Sequence, residues 1–331
     1  MRQDYRDALI LATERGMAKP QGVCAMYNAT ALSGIGAGWS HVLQCEQGFR
    51  PEYLRLENSG NSVVPVFADD LNADQAIVLL GRNRKVNEAN VARAWNTCVP
   101  GGQIIVAGDK KAGVASLRKW ASDRANVLDS FSKHHAMVFR IDREGHSWEL
   151  PNMSHTSMGY QIADGMFSSD GPDKASQLLV EHFDSRIGGP VADLGAGWGY
   201  LSNELLKRSH KVTALDLFEA DFNSLEVSKN NVCINAEEKV AYHWCDVTSE
   251  FRKKPYQWVI MNPPFHSAGR AAEPELGKRF IEVAASTLPS GGRLLMVANK
   301  NLPYEKTLGE RFRRFEKLSE RDGFKVIEAM K

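Results

Sequence analysis

Four consecutive residues, Asn262-Pro263-Pro264-Phe265, carry the sharpest chemical signal in the chain. They follow Trp258-Val259-Ile260-Met261, a short apolar run that reads as a buried strand. Two prolines end it, because proline has no N–H to give a sheet ladder. What results is a stiff loop at a strand's carboxyl end, where open α/β sheets place their ligands. The loop presents an amide side chain, backbone carbonyls without competing N–H groups, and an aromatic ring. That set suits a flat ring bearing an amino group. The carbonyls of Asn262 and Pro263 accept from the NH2, and Phe265 stacks on the ring. His266 beside them reads as a loop-packing residue rather than a base.

A second set points to a nucleoside near that loop. Asp193-x-Gly195-x-Gly197-x-Gly199 follows one apolar run and precedes a helical one, and glycines let backbone come close to a ligand. A dinucleotide loop wants one more glycine at position 200. That residue is Tyr200, which disfavours a nicotinamide cofactor. Asp216 is expected to end the next strand, where a carboxylate takes both ribose hydroxyls. Asp246, near the end of the third strand, is placed to accept from an adenine amino group. Each acid alone could be a solvated strand end; in this order the three read together as a cofactor site.

The elements that position these residues alternate strand and helix. In the second half, strands are expected over 190–194, 211–215, 240–244, 256–261 and 293–298, with helices over 175–183, 201–208, 220–231 and 275–287. Such alternation predicts an α/β fold with a parallel sheet and helices on both faces. In the first half, helices are expected over 4–18, 87–98 and 112–125. Strands are expected over 22–27, 42–45, 62–66, 74–80, 103–107 and 134–141.

A long internal repeat links the halves. Gln75 to Leu80 and Val99 to Ala107 match Gln257 to Met261 and Leu288 to Ala298, each pair joined by a helix and a Pro/Gly-Gly turn. This alignment sets Gly81-Arg82-Asn83-Arg84 against Asn262-Pro263-Pro264-Phe265. Two tandem domains of one Rossmann-like fold are therefore expected, over 1–145 and 159–331, joined by a polar linker over 146–158. The first copy is degenerate. Its glycine-rich loop Gly34 to Trp39 echoes Gly195 to Trp198, but Asn28 closes its strand where the other copy has an acid, so it is not expected to bind a cofactor.

Composition narrows the class. A length of 331 residues with 43% apolar side chains supports two real cores, and a net charge of +1 means that any nucleic-acid surface must be local. Arg82, Arg84 and Lys85, with Lys110 and Lys111, fall after two neighbouring strands and are candidates for phosphate contact. Arg311, Arg313 and Arg314 read as a helix's wet face. Five scattered cysteines without Cys-x-x-Cys suggest reduced thiols and a cytoplasmic location. Cys233, His243 and Cys245 lack a fourth ligand, so no metal is expected. There is no apolar run of membrane-spanning length, and the polar start lacks a signal-peptide core. A monomer is the expected state.

Residues 160–331 resemble class I S-adenosylmethionine-dependent methyltransferases of the Asn-Pro-Pro-Phe/Tyr group. Within it the whole chain is similar to two-domain bacterial enzymes that methylate guanine N2 in ribosomal RNA, most of all the small-subunit type. The marks are Phe167-Ser168-x-Asp170-Gly171-x-Asp173, the Asp193 glycine loop, Asn262-Pro263-Pro264-Phe265-His266, and Val297-Ala298-Asn299-x-x-Leu302-Pro303-Tyr304. Ala175 and Trp198 depart from the usual small residues at their positions. The resemblance implies S-adenosylmethionine as cofactor, Asp170 or Asp173 near its methionine end, and ribosomal RNA or an assembling ribosomal subunit as partner. Asn262, Pro263 and Phe265 are then the catalytic set, and Asp173, Asp193, Gly195, Gly197, Asp216, Asp246 and Asn262 the cofactor set. The loop alone leaves other acceptors open: large-subunit guanine N2, adenine N6, or a protein glutamine. A cofactor-binding RNA-remodelling factor is the non-enzymatic alternative.

Overall fold

The computed structural model of the protein describes residues 4–150, 154–156, 158–162, 171–232, 239–264 and 274–331. The chain divides into two compact units, Met1–Asn152 and Met153–Lys331.

In the first unit the helices are α1 (Tyr5–Glu14), α2 (Arg50–Asn58), α3 (Arg84–Thr97) and α4 (Val114–Ser122). The strands are β1 (Cys24–Tyr27), β2 (Leu43–Glu46), β3 (Ser62–Val64), β4 (Ala73–Leu79), β5 (Cys98–Asp109), β6 (Val127–Lys133) and β7 (Ala136–Asp142), in the spatial order 3-2-1-4-5-7-6. The second unit begins with a short hairpin, β8 (Ser154–His155) and β9 (Gln161–Ile162), and α5 (Lys174–Val180). Then follow β10 (Gly189–Leu194), α6 (Tyr200–Arg208), β11 (Val212–Glu219), α7 (Phe222–Asn231), β12 (Val240–Trp244), β13 (Trp258–Met261), α8 (Pro274–Thr287), β14 (Arg293–Asn299), α9 (Glu305–Arg311), β15 (Arg314–Arg321) and β16 (Phe324–Met330). Its sheet runs 12-11-10-13-14-16-15, the same path as the first.

The central strands β1, β10 and β13 are apolar runs because parallel strands between helices are buried on both faces. Alternate side chains serve the two faces. Val191, Leu215, Ile260 and Leu295 pack against Leu178, Leu201 and Leu225 of α5, α6 and α7. Ala192, Val259, Met261 and Met296 pack against Phe280, Ile281 and Tyr304 on the other side.

The sheets are not wholly parallel. In each unit the last two strands form an antiparallel hairpin that pairs with the fifth strand. This corrects the assignment of Arg313 and Arg314 to a helix: α9 ends at Arg311 and Arg314 opens β15. Charged, largely exposed β15 hides its strand character from any apolar pattern, and such charge protects a sheet edge. Asp322 (φ 55°) and Gly323 (φ 85°) make the two-residue turn; His134 (φ 53°) and His135 (φ 58°) make it in the first unit.

Residues 143–150 pack with the first unit. Arg143 exchanges backbone hydrogen bonds with Gly101 and Gly102. Asn96 donates to the Trp148 carbonyl at 2.9 Å and accepts the Trp148 N–H at 2.8 Å, while the Trp148 ring stacks on Trp95.

The ladders also move the internal alignment. Gln75 pairs with Gln103, and Trp258 with Arg293. Superposing the Gly-Gly turns, which bond alike to Arg143 and to Lys331, puts Gln75 level with Trp258. Leu79-Leu80-Gly81 then stands where the second unit has Asn262-Pro263-Pro264, two residues before the expected match.

Candidate active site

Asn262, Pro263 and Pro264 leave the carboxyl end of β13 with Asn262 half-buried, Pro263 buried and Pro264 exposed. They meet a cleft of about 390 Å3, solvent mouth included, lined by Pro172, Asp173, Ser176, Tyr200, Asn262 and the Gly195–Trp198 loop. The cleft thus gathers four predicted residues, Asp173, Gly195, Gly197 and Asn262. Phe265, His266, Phe167, Ser168 and Asp170 lie outside the described residues, as does Cys233.

Backbone geometry explains the glycine loop. Gly195, Gly197 and Gly199 all have positive φ, at 77°, 55° and 88°. Gly199 also abuts α7: an added Cβ would lie 2.9 Å from Val232 Cγ2. The loop is held from beneath by Asn231, which donates to the Trp198 carbonyl and to the Gln161 carbonyl of the β8–β9 hairpin. Tyr160 of that hairpin contacts the Trp198 ring at 5.1 Å.

Asp193 is not on the cleft wall. It is fully buried below the loop, with Oδ2 accepting from Ser202 Oγ at 2.7 Å and Oδ1 without a partner. Burial pushes its carboxyl up to about 7, and Glu219 adds to this against the Ser202 hydrogen bond.

Asp216 requires correction. It lies inside β11, whose last residue is Glu219. Its carboxylate is buried and accepts from Lys254 Nζ at 2.7 Å and from the Tyr256 hydroxyl, with His243 Nε2 at 3.6 Å. Burial alone would raise this carboxyl. The nearby His243 ring and the hydrogen bonds from Lys254 and Tyr256 outweigh it and hold the group well below its usual range. Such a group is buried and does not line the cleft, so it is not presented to a ribose there.

The acid that closes the strand is Glu219, which sequence reading missed. Three residues from Asp216, it faces the other side of the sheet. It accepts the Gly197 N–H at 2.7 Å and the Asp221 N–H at 2.8 Å. The overlooked signal is Asp221. Its side chain caps α7 by accepting from the Ser224 N–H, which fixes the strand's end two residues earlier than the cap. Asp246 lies beside Glu219 at the sheet edge, since Cys245 N–H bonds the Glu219 carbonyl. Its Oδ1 accepts from both the N–H and the hydroxyl of Thr248, while Oδ2 accepts from Ser249 Oγ and keeps a lone pair.

Asp173 caps α5, accepting the Ala175 and Ser176 N–H groups at 2.9 and 3.1 Å. Asn262 Nδ2 donates to Ser176 Oγ at 2.9 Å and faces both Asp173 oxygens at 3.4 Å. Ser176 is a second residue that sequence reading did not single out. Among the described residues no three His, Cys, Asp or Glu side chains gather where they could hold a metal ion, and no helix is long and apolar enough to cross a membrane.

The 3-2-1-4-5-7-6 sheet, the glycine cradle below a strand-end acid, and an Asn-Pro-Pro loop on the same cleft define a class I S-adenosylmethionine-dependent methyltransferase. Residues 159–328 match the methyltransferase small domain family, and the chain belongs to it. It is 30% identical over 276 residues to ribosomal RNA small subunit methyltransferase C of Salmonella heidelberg, spanning 82% of this chain and 79% of that one. The protein of the same name from Shewanella denitrificans is 25% identical over 338 residues, spanning 99% and 95%. A solved structure, the T. thermophilus 16S rRNA N2 G1207 methyltransferase in complex with AdoMet and guanosine, matches with a TM-score of 0.79. Its sequence is 24% identical, and the match covers 99% of this chain and 91% of that chain. That likeness extends the two-domain fold over nearly the whole sequence.

Proposed function

We propose that the second unit transfers the methyl group of S-adenosylmethionine to the exocyclic N2 amine of one guanine in small-subunit ribosomal RNA, in the cytoplasm. One observation carries the reading: Asn262 and the Gly195–Gly197 cradle line the same cleft. Gly195 and Gly197 would admit the cofactor's backbone-hugging end, Glu219 its ribose hydroxyls and Asp246 its adenine amine. Asp173 would stand near its methionine end. When bound, the cofactor supplies a methyl group already activated on a sulfonium.

The chain's own task is to position and polarise the acceptor. Guanine's amine is a weak nucleophile because its lone pair is delocalised into the ring. Acceptance of its hydrogens by the Asn262 and Pro263 carbonyls draws them out of plane and frees that pair. The same oxygens stabilise the positive charge that develops on nitrogen. No strong base is required, since the proton leaves after transfer. Holding the acceptor in line is the larger contribution. Phe265 supplies a stacking face for the extruded base.

Arg82, Arg84, Lys85, Lys110 and Lys111 are assigned to phosphate contact. All five are exposed, after the carboxyl ends of the adjacent strands β4 and β5. Arg84 also pairs with Glu88 at 2.7 Å.

The test is nucleoside mass spectrometry of ribosomal RNA from cells with and without the protein. Loss of one N2-methylguanosine from the small subunit is expected. Loss of a large-subunit methylguanosine, a methyladenosine or a protein methylglutamine instead would overturn the acceptor assignment.

A further inference from the structure

We infer that Asp173 and Ser176 act as an orientation lock on the Asn262 amide, turning its carbonyl oxygen rather than its NH2 toward the acceptor amine. The inference rests on the reading of Asn262 as an amine acceptor and adds the residues that make it one.

An asparagine amide has two ends of nearly equal shape, one a donor and one an acceptor, so its surroundings decide which end faces a ligand. The wrong end here would point two N–H donors at an amine that needs acceptors. Ser176 Oγ does not settle the matter alone, because a hydroxyl can donate or accept. Asp173 does. An ionised carboxylate only accepts, and both its oxygens lie 3.4 Å from Asn262 Nδ2. That distance is long for a full hydrogen bond, yet close enough for the charge to repel an amide oxygen put in the same place. With the carbonyl repelled, Nδ2 takes the near position and donates to Ser176 Oγ at 2.9 Å. The carboxylate is itself immobile, since its Oδ1 caps α5 through the Ala175 and Ser176 N–H groups. Cap and lock are therefore one group, which ties the start of α5 to Asn262, 89 residues away. Both are positioning residues, acting through Asn262.

The test separates cap from lock. Asp173→Asn keeps a good N-cap but removes the charge, so the unfolding midpoint should hold while kcat falls by about 10- to 30-fold. Ser176→Ala should lower kcat by roughly 5- to 10-fold, and Ser176→Thr should restore most of it. In an Asn262→Ala background, followed by single-turnover transfer of radiolabelled methyl groups, Ser176→Ala should change the rate by less than about 2-fold. A full loss persisting without Asn262, or no loss with it, overturns the lock.

A second readout needs no acceptor. The Asn262 side-chain amide, identified by its disappearance from the 15N spectrum of Asn262→Ala, should exchange its protons slowly in the native protein and quickly in Ser176→Ala. Equal exchange in both overturns the lock. Slow exchange in a native protein that methylates no RNA would uphold the lock and fault the acceptor assignment instead.

Discussion

The two units share a frame and differ at one edge. At the amino end of the strands they match in detail. Gly22 (φ 54°) sits against the Asp74 side chain as Gly189 (φ 70°) sits against Gln257, and each Gly-Gly turn bonds the residue just past the last strand. At the carboxyl end the matched positions diverge. Asn28 (φ 51°) replaces Gly195 (φ 77°), keeping the backbone angle but adding a side chain that donates to the Leu79 carbonyl. Gln47 takes the place of Glu219: each accepts an N–H two residues on, but the Gln47 amide is neutral and donates to the Ala29 carbonyl. Met26, buried, stands level with Asp193, and Leu79-Leu80-Gly81 with Asn262-Pro263-Pro264. Asn87 closes the first loop by bonding both the N–H and the carbonyl of Gly81. Packing was kept in both units, and the groups that could meet a cofactor or an amine remain in one.

The two acids of β11 should respond differently to substitution. Asp216→Ala removes one partner of a buried charged cluster, so stability should fall by about 2–3 kcal/mol. The folded variant's S-adenosylmethionine affinity should stay within about 3-fold of native. Glu219→Gln, which copies the first unit's residue, should do the reverse. Calorimetric titration should find affinity about 30-fold weaker, roughly 2 kcal/mol, with a smaller stability loss than in Asp216→Ala, because the amide keeps an acceptor for the Asp221 N–H but puts its NH2 against the Gly197 N–H. Weaker binding in Asp216→Ala alone would restore the original assignment of the ribose acid.

Asp193 and Met26 sharpen the contrast through pH. The buried Asp193 carboxyl titrates at about 7 against an ordinary 3.8. A raised carboxyl favours the protonated folded state. Its contribution is fully present below the unfolded value and is lost as pH rises through about 7. Asp193→Asn, neutral throughout, should therefore gain on native between pH 4 and 7, its margin widening by about 2–3 kcal/mol from pH 5 to pH 8. Urea midpoints at pH 5 and pH 8 measure it; an equal margin at both would show that Asp193 is not buried as a free acid. The smallest effect concerns the hairpins. His135→Gly relieves a left-handed residue where the second unit has Gly323, and should add about 1 kcal/mol to the urea stability.

These contrasts follow what the sequence makes legible. The central strands announce themselves as apolar runs, and the Asn-Pro-Pro and glycine loops as spacings, because their physics is local. Asp216 and Glu219 lie in one strand, so choosing between them requires knowing where α7 starts. Ser176 becomes visible only when α5 is brought to β13, 86 residues away in the chain. β15 stays hidden because an edge strand is kept charged, although Asp322-Gly323 marks its turn. α2, with Pro51 in its first turn and Leu56 as its buried side chain, offers little helical pattern to read.

Under the proposed function Asn262, although it lines the cleft, acts chiefly on the acceptor amine. The direct test is Asn262→Ala, with S-adenosylmethionine binding measured by calorimetry and methyl transfer by single-turnover assay on unmodified small-subunit RNA. Binding should stay within about 3-fold of native while transfer slows by about 100-fold or more. Undiminished transfer with intact binding would contradict that role.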